Sequence, residues 1–435
     1  MDGFERFTRP VPSWFKDAKF GIFIHWGAYS VPAWAEPKGE LGIVSNDVWF
    51  AHNPYSEWYY NTIRIEDSPA AIRHKELYGD APYDDFLDQW KAEKFEPQKW
   101  AELFKKSGAQ YVIPTTKHHD GIALWEAPGT GSRNTVARGP KRDLIADIGN
   151  EVRKVGLKFG VYYSGGLDWG VSTLPPMTIK AHVRGLRPRD AAYAMYCHQH
   201  LIDLIDRYKP DLLWNDIEYP DAGKREGDYS LASVFDHYYE SVHDGLVNDR
   251  WGVSHSDFTT SEYSARLENE SGEAWENCRG IGYSFGYNQV EDESHYLSIE
   301  GAIRHLVNIV SRGGNLLLNI GPTASGEIPE FQQTVLEGIG TWLEVNGDAI
   351  FKSEVNTAES GSETPWIRWT KNANTSFALI ENSGPIEFEA LNVKENTARI
   401  LGGGSISFTR VGSKISTVIG KPKVRGPVVI AFDSL

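Results

Sequence analysis

Cysteine is nearly missing from this chain: Cys197 and Cys278 are the only two in 435 residues. Two cannot build a disulfide framework for a chain this long, so buried free thiols are expected. Long apolar runs are missing as well, and none approaches the length needed to cross a bilayer. The opening Met1-Asp-Gly-Phe-Glu-Arg-Phe-Thr-Arg-Pro10 has no basic segment followed by an apolar stretch. The chain as given therefore carries no secretory leader and is expected to be cytoplasmic, a leader removed beforehand aside. An excess of positive charge is also missing. Lys and Arg number 44 against 59 Asp and Glu, and the resulting net charge of −15 argues against nucleic-acid and anionic-membrane partners. No Gly-x-Gly-x-x-Gly opens a helix after the first strand, which removes the dinucleotide reading. Neither Cys₂His₂ spacing nor His-Glu-x-x-His occurs, so no metal and no cofactor are expected.

What is present is an alternation of apolar β-rich runs with amphipathic helices. Four runs in the first half end in polar and aromatic clusters: Phe20-Gly-Ile-Phe-Ile-His-Trp-Gly27, Tyr111-Val-Ile-Pro-Thr-Thr-Lys-His-His-Asp120, Lys158-Phe-Gly-Val-Tyr-Tyr-Ser164 and Asp211-Leu-Leu-Trp-Asn-Asp216. One polar residue would suffice to end a buried strand. Four strands that all deliver such clusters at their C-terminal ends describe the active rim of a parallel barrel. Helical patterns fall at 83–106, 141–154, 190–208, 299–311 and 331–345, and Asn315-Leu-Leu-Leu-Asn-Ile320 reads as a buried strand. Residues 248–258 and 280–287 are weaker strand candidates, and 28–81 reads as a long loop without periodicity. Together these predict an α/β fold, a (β/α)₈-like TIM barrel over residues 1–347. From 348 to 435 short alternating runs such as Phe377-Ala-Leu-Ile380 and Val428-Val-Ile-Ala-Phe432 predict a small C-terminal all-β sandwich domain.

Two residue types at the rim point to sugar chemistry. Many Trp, among them Trp26, Trp58 and Trp214, sit beside polar residues, and an indole suits the C–H face of a sugar. Glycoside hydrolysis needs two carboxyl groups, and Asp216 is placed by its strand to be one of them, with a helix cap as the bland alternative. Asn215 beside it is a candidate to orient it. His118 and His119 invite a metal reading, but neighbours on a strand face opposite ways unless the strand has ended. Imidazoles that hydrogen-bond sugar hydroxyls fit better.

Nine motifs in chain order then resemble the α-L-fucosidases of glycoside hydrolase family 29 over residues 14–345. They are His25-Trp26-Gly27 with Tyr29-Ser-Val-Pro-Ala-Trp34, Ser56-Glu-Trp-Tyr59, Lys117-His-His-Asp-Gly121, Pro140-Lys-Arg-Asp-Leu144, Tyr162-Tyr-Ser-Gly-Gly-Leu-Asp-Trp169, Leu213-Trp-Asn-Asp216, Arg250-Trp-Gly252, Arg279-Gly-Ile-Gly282 and Asn315-Leu-Leu-Leu-Asn-Ile-Gly-Pro322. The resemblance implies an exo-acting retaining hydrolase of terminal α-L-fucosyl linkages, with a fucosylated oligosaccharide or glycoconjugate as substrate. It implies Asp216 as nucleophile and a fucose pocket of His25, Trp26, Glu57, Trp58, His118, His119, Tyr163, Trp214 and Arg250. The acid/base is placed at Glu262, with Glu268, Glu270, Glu273 and Glu276 crowding the same segment. The competing readings are a related retaining glycosidase of different sugar specificity and a fucose-binding lectin-like protein with an inactive site. Assembly into a homo-oligomer is left open.

Overall fold

The strands of the first half carry apolar residues at nearly every position, as strands buried on both faces must. The computed structural model describes residues 3–225, 227–263, 273–381 and 383–434. Its first sheet has eight strands: β1 (Phe20–Ile24), β2 (Tyr111–Lys117), β3 (Lys158–Ser164), β4 (Leu212–Asp216), β5 (Leu246–Val247), β6 (Thr259–Glu262), β7 (Trp275–Gly280) and β8 (Asn315–Ile320). They are all parallel and follow the order β5-β4-β3-β2-β1-β8-β7-β6. Such an arrangement is a TIM-like barrel whose closure falls between β5 and β6, where no backbone ladder is found among the described residues. Side chains take over at that seam. Asp257 Oδ2 accepts from the Val247 amide at 2.8 Å, and Asp249 Oδ1 accepts from the Thr260 amide at 3.0 Å.

Amphipathic helices cover the outside. Leu144–Lys154, Ala191–Tyr208, Leu231–Ser241 and Ile299–Val310 each start at an Asp or Ser whose side chain accepts a first-turn amide, from Asp143, Asp190, Ser230 and Ser298 respectively. The single helical stretch expected at 83–106 is in fact two helices, Asp85–Gln89 and Pro97–Lys106. Pro97 can only begin a helix there, because its ring would clash within one. The long loop of 28–81 contains a ten-residue helix, Pro69–Tyr78, capped by Ser68. The weaker strand candidates are loops, and the real strands β6 and β7 flank them. Their sequences, Thr-Thr-Ser-Glu and Trp-Glu-Asn-Cys-Arg-Gly, bury polar groups and so do not show the apolar signature of a core strand.

The C-terminal region is antiparallel. A sheet built on Trp366–Asn372, Thr375–Glu381, Val428–Ser434 and Val393–Ile400 faces a three-stranded sheet across a core that includes Trp369, Ile380, Phe388 and Phe432. It docks on the barrel through the indole of Trp342, which donates to the Pro427 carbonyl at 3.0 Å. A second tie is Arg368 Nε, which donates to Asn308 Oδ1 of the barrel at 2.8 Å. Cys197 and Cys278 are both buried and free.

Candidate active site

The C-terminal strand ends surround a cavity of about 220 Å³. Alternation along each strand decides what enters it. Phe23 and His25 face inward from β1 and its end, and Tyr162, Trp214 and Asp216 do so from β3 and β4. Tyr162 is in register with Trp214, so the two rings share a face and stack at 5.5 Å. Trp26 and Tyr163 occupy the opposite phase, and both correct the expected pocket. The Trp26 indole donates to the Thr323 carbonyl at 2.8 Å and packs against Trp90 and Trp100 in the outer core. Tyr163 shares a 3.0 Å hydrogen bond with His200 Nδ1 and lies under the Lys117 ammonium. Asn215 also faces outward. Its amide donates to the carbonyls of Glu218 and Arg250 and ties two loops together, so it does not orient Asp216.

The paired histidines both reach the cavity because β2 ends at Lys117, one residue before them. Lys117 and Asp120 of the same cluster point elsewhere, toward Asp168 and Tyr83. His25 donates from Nδ1 to Asn319 Oδ1 at 2.7 Å, since the Asn319 amide already donates to the Phe285 carbonyl. His119 donates from Nδ1 to Ser164 Oγ at 2.7 Å, because that hydroxyl is committed to the Leu167 carbonyl. In each ring Nε2 is left as an acceptor. Burial holds the imidazoles neutral: it pushes His25 down to about 3, His119 to about 4, and His118 well below its ordinary value. Buried His118 Nδ1 has no partner among the described residues, which suits a ligand hydroxyl.

Two carboxyl groups meet over one guanidinium. Arg250 places Nη1 3.1 Å from Asp216 Oδ1 and Nη2 3.3 Å from Glu262 Oε2. Its plane rests 4.5 Å from the Trp214 ring, and Nε donates to Thr260 Oγ1 at 2.9 Å. Asp216 also accepts from Tyr162 OH at 3.1 Å and from the amide of Ile217 at 3.0 Å. Burial alone would raise its pKa, but the charge of Arg250 and these hydrogen bonds outweigh it and bring Asp216 below the ordinary carboxylate value. Glu262 goes the other way. Burial raises it, Arg250 opposes, and the nearby charge of Asp216 raises it further. Tyr55 OH donates to its Oε1 at 3.0 Å. Two carboxyls driven apart in this way are suited to separate roles, one ionised and one protonated.

The other glutamates separate cleanly by position. Glu57 lines the cavity, accepts from the Gly286 amide at 2.8 Å, and is pushed by burial to about 7. Glu276 sits inside the barrel beneath the pocket, where it accepts from the Trp214 indole at 2.9 Å and from Tyr111. Glu273 is exposed and lies away from the cavity, while Glu268 and Glu270 fall outside the described residues. Tyr55, Tyr162 and Phe285 also line the cavity and were not among the expected residues. For Tyr162 the only usable signal is the two-residue phase counted back from Asp216 through the β3–β4 register. Tyr55 and Phe285 come from loops that show no periodicity at all.

Comparison with known proteins gives the family and the fold. Residues 5–348 match the family model for alpha-L-fucosidase. The chain is 35% identical to the tissue alpha-L-fucosidase of Bos taurus over 369 residues, which is 82% of this chain and 73% of that protein. Among solved structures, one alpha-L-fucosidase superposes with a TM-score of 0.91 at 46% identity, covering 98% of this chain and 97% of the other. An alpha-L-fucosynthase of Thermotoga maritima, in complex with alpha-L-Fuc-(1-2)-beta-L-Fuc-N3, gives 0.89 at 45% identity and covers 97% and 96%.

Proposed function

The chain belongs to the alpha-L-fucosidase family, and from that premise we propose that Asp216 is its nucleophile and Glu262 its acid/base. The protein is an exo-acting retaining α-L-fucosidase, hydrolysing terminal α-L-fucosyl linkages by double displacement through a covalent fucosyl-enzyme intermediate. The observation that carries the assignment is the Arg250 bridge, which brings these two carboxyls, and no other pair among the described residues, to one guanidinium in the cavity. The catalytic unit on this reading is residues 1–347, with 348–435 as its appendage.

In the first step Asp216 Oδ attacks the anomeric carbon. The bond to the leaving oxygen breaks as Glu262 gives that oxygen its proton. Forming the ester removes the charge of Asp216, and with it the repulsion that raised Glu262. The attraction of Arg250 remains, so Glu262 is now favoured as a carboxylate and can take a proton from water in the second step. That water attacks the same carbon, the ester bond to Asp216 breaks and restores its carboxylate, and fucose leaves with its anomeric configuration retained. His25, His118, His119 and Glu57 are read as hydroxyl ligands, Trp58 and Trp214 as walls, and Phe285 as apolar cover within the same cavity.

Asp216→Gly should lower kcat on an aryl α-L-fucoside by at least about 10³-fold, the scale on which a lost nucleophile acts. Added azide should restore turnover and yield the inverted glycosyl azide. Full activity without azide would remove Asp216 from this role.

A further inference from the structure

At the end of the barrel opposite the catalytic cavity lies a second cavity, of about 620 Å³ against about 220 Å³ for the first. Lys19 lines it from just before β1, and Thr259, Trp275 and Asn315 do so as the first residues of β6, β7 and β8. Residues 352–355 line it as well, so it lies where the barrel meets the C-terminal region. Clefts of this size between two units of a chain are a usual place for a small ligand.

Several side chains around it are charged yet unpaired. Lys19 is only 5% exposed, and its ammonium has neither a hydrogen bond nor an ion pair among the described residues. Burial lowers its pKa, and the charges of Asp17 and Glu354 oppose that shift. Those two carboxylates are near enough to act on Lys19, but among the described residues they pair neither with it nor with Lys16 or Lys352, which also line the cavity. A buried group with three N–H donors and no acceptor is costly until something supplies one. The lining holds four basic and four acidic residues, so it carries no net charge to attract an ion. Phe15, Phe258 and Trp275 add aromatic surface, with the two Phe rings 4.6 Å apart.

We propose that this cavity is a second, non-catalytic binding site whose ligand is a neutral saccharide. A sugar hydroxyl both donates and accepts. One ligand can therefore accept from Lys19 and donate to Asp17 and Glu354, groups that do not touch one another. An inorganic anion would satisfy Lys19 but be repelled by the two carboxylates, and a cation would meet the reverse conflict. The aromatic rings suit the C–H faces of the same ligand. The site stands at the other ends of the strands from Asp216 and Glu262, so it does not depend on the roles of those two residues.

The test titrates lactose, a neutral disaccharide, into the full chain by calorimetry. Lactose should saturate a site, and Lys19→Met should weaken its binding by at least about tenfold, the scale of a lost charged hydrogen bond. Glu354→Ala should weaken it by about tenfold as well. Turnover of an aryl α-L-fucoside should stay unchanged in both variants. If Lys19→Met lowers Tm, Glu354→Ala decides alone, because that position is exposed. Absence of lactose binding, or binding undiminished in the deciding variant, would overturn the site. Turnover lost in step with binding would overturn it too, by placing the sugar in the catalytic cavity. Inorganic phosphate or glucuronate that binds more tightly than lactose and depends on Lys19 would make this an anion site and not a saccharide site.

Discussion

Asp216 ends a strand that is paired on both sides, over five residues to β3 and over two to β5. Glu262 ends a four-residue strand that is paired to β7 alone. The first carboxyl inherits its position from the barrel's backbone ladder. The second depends on side chains: Tyr55 and Arg250 on its oxygens, and Asp249 and Thr260 across the seam behind it. On the proposed roles, regular structure fixes the nucleophile, while the proton donor on a sheet edge must be held by a network. That difference explains why one was plain in the sequence and the other had to be selected from several glutamates.

Beyond the Asp216 variant, the largest effect should come from Glu262→Ala. With a sugar leaving group its loss should be about 10²–10⁴-fold, the range for general acid catalysis. With an activated aryl fucoside the loss at the first step should be much smaller, and equal losses would hand the role to another glutamate. The pH profile checks the same pair. Asp216 must be ionised, so kcat/KM should fall as pH drops through its depressed value. Glu262 must be protonated, so kcat/KM should fall as pH rises through its raised one. In Glu262→Ala the alkaline limb should vanish while the acid limb stays.

Next in size is Arg250→Met, with an expected loss of about 10²-fold in kcat/KM from misplaced reacting groups. Arg250 lowers both carboxyls, so without it burial and their mutual repulsion lift both. Both limbs of the profile should then move to higher pH; limbs that stay in place would show that Arg250 binds substrate without tuning the pair.

The smallest effect separates the two routes most directly. Asp249→Ala removes the acceptor for both the Thr260 amide and its hydroxyl, and so loosens β6 and Thr260's grip on Arg250. We expect about a tenfold loss with sugar leaving groups, as for a modest misplacement of the donor, and nearly none with an activated aryl group. A loss independent of the leaving group would mean that the seam holds the nucleophile just as much.

The expected barrel is there, as are four of the helices close to their predicted limits, because helical periodicity and apolar runs are local properties. Glu57, Trp58, His118 and His119 meet at the cavity with Asp216 as expected, though they are spread over 160 residues of chain. Trp26 and Tyr163 failed for one physical reason. A parallel strand is apolar on both faces, so its sequence does not reveal which alternate residues point inward. His25-Trp26 and Tyr162-Tyr163 each offer two plausible side chains, and only the pairing register chooses. The polar strands β6 and β7 failed for the opposite reason, since their buried Glu, Asn and Arg side chains look like loop residues until their partners are seen.

The sequence by itself determined the class of fold, the family, and the strand end at which Asp216 stands. Those follow from periodicity and from motifs that are short-range patterns along the chain. Tertiary structure alone decided which face of each strand is inside, which glutamate stands beside Asp216, and in which direction each carboxyl's pKa moves. These depend on burial and on charges a few ångströms apart in space, and Arg250 lies 34 residues beyond one of its partners and 12 before the other.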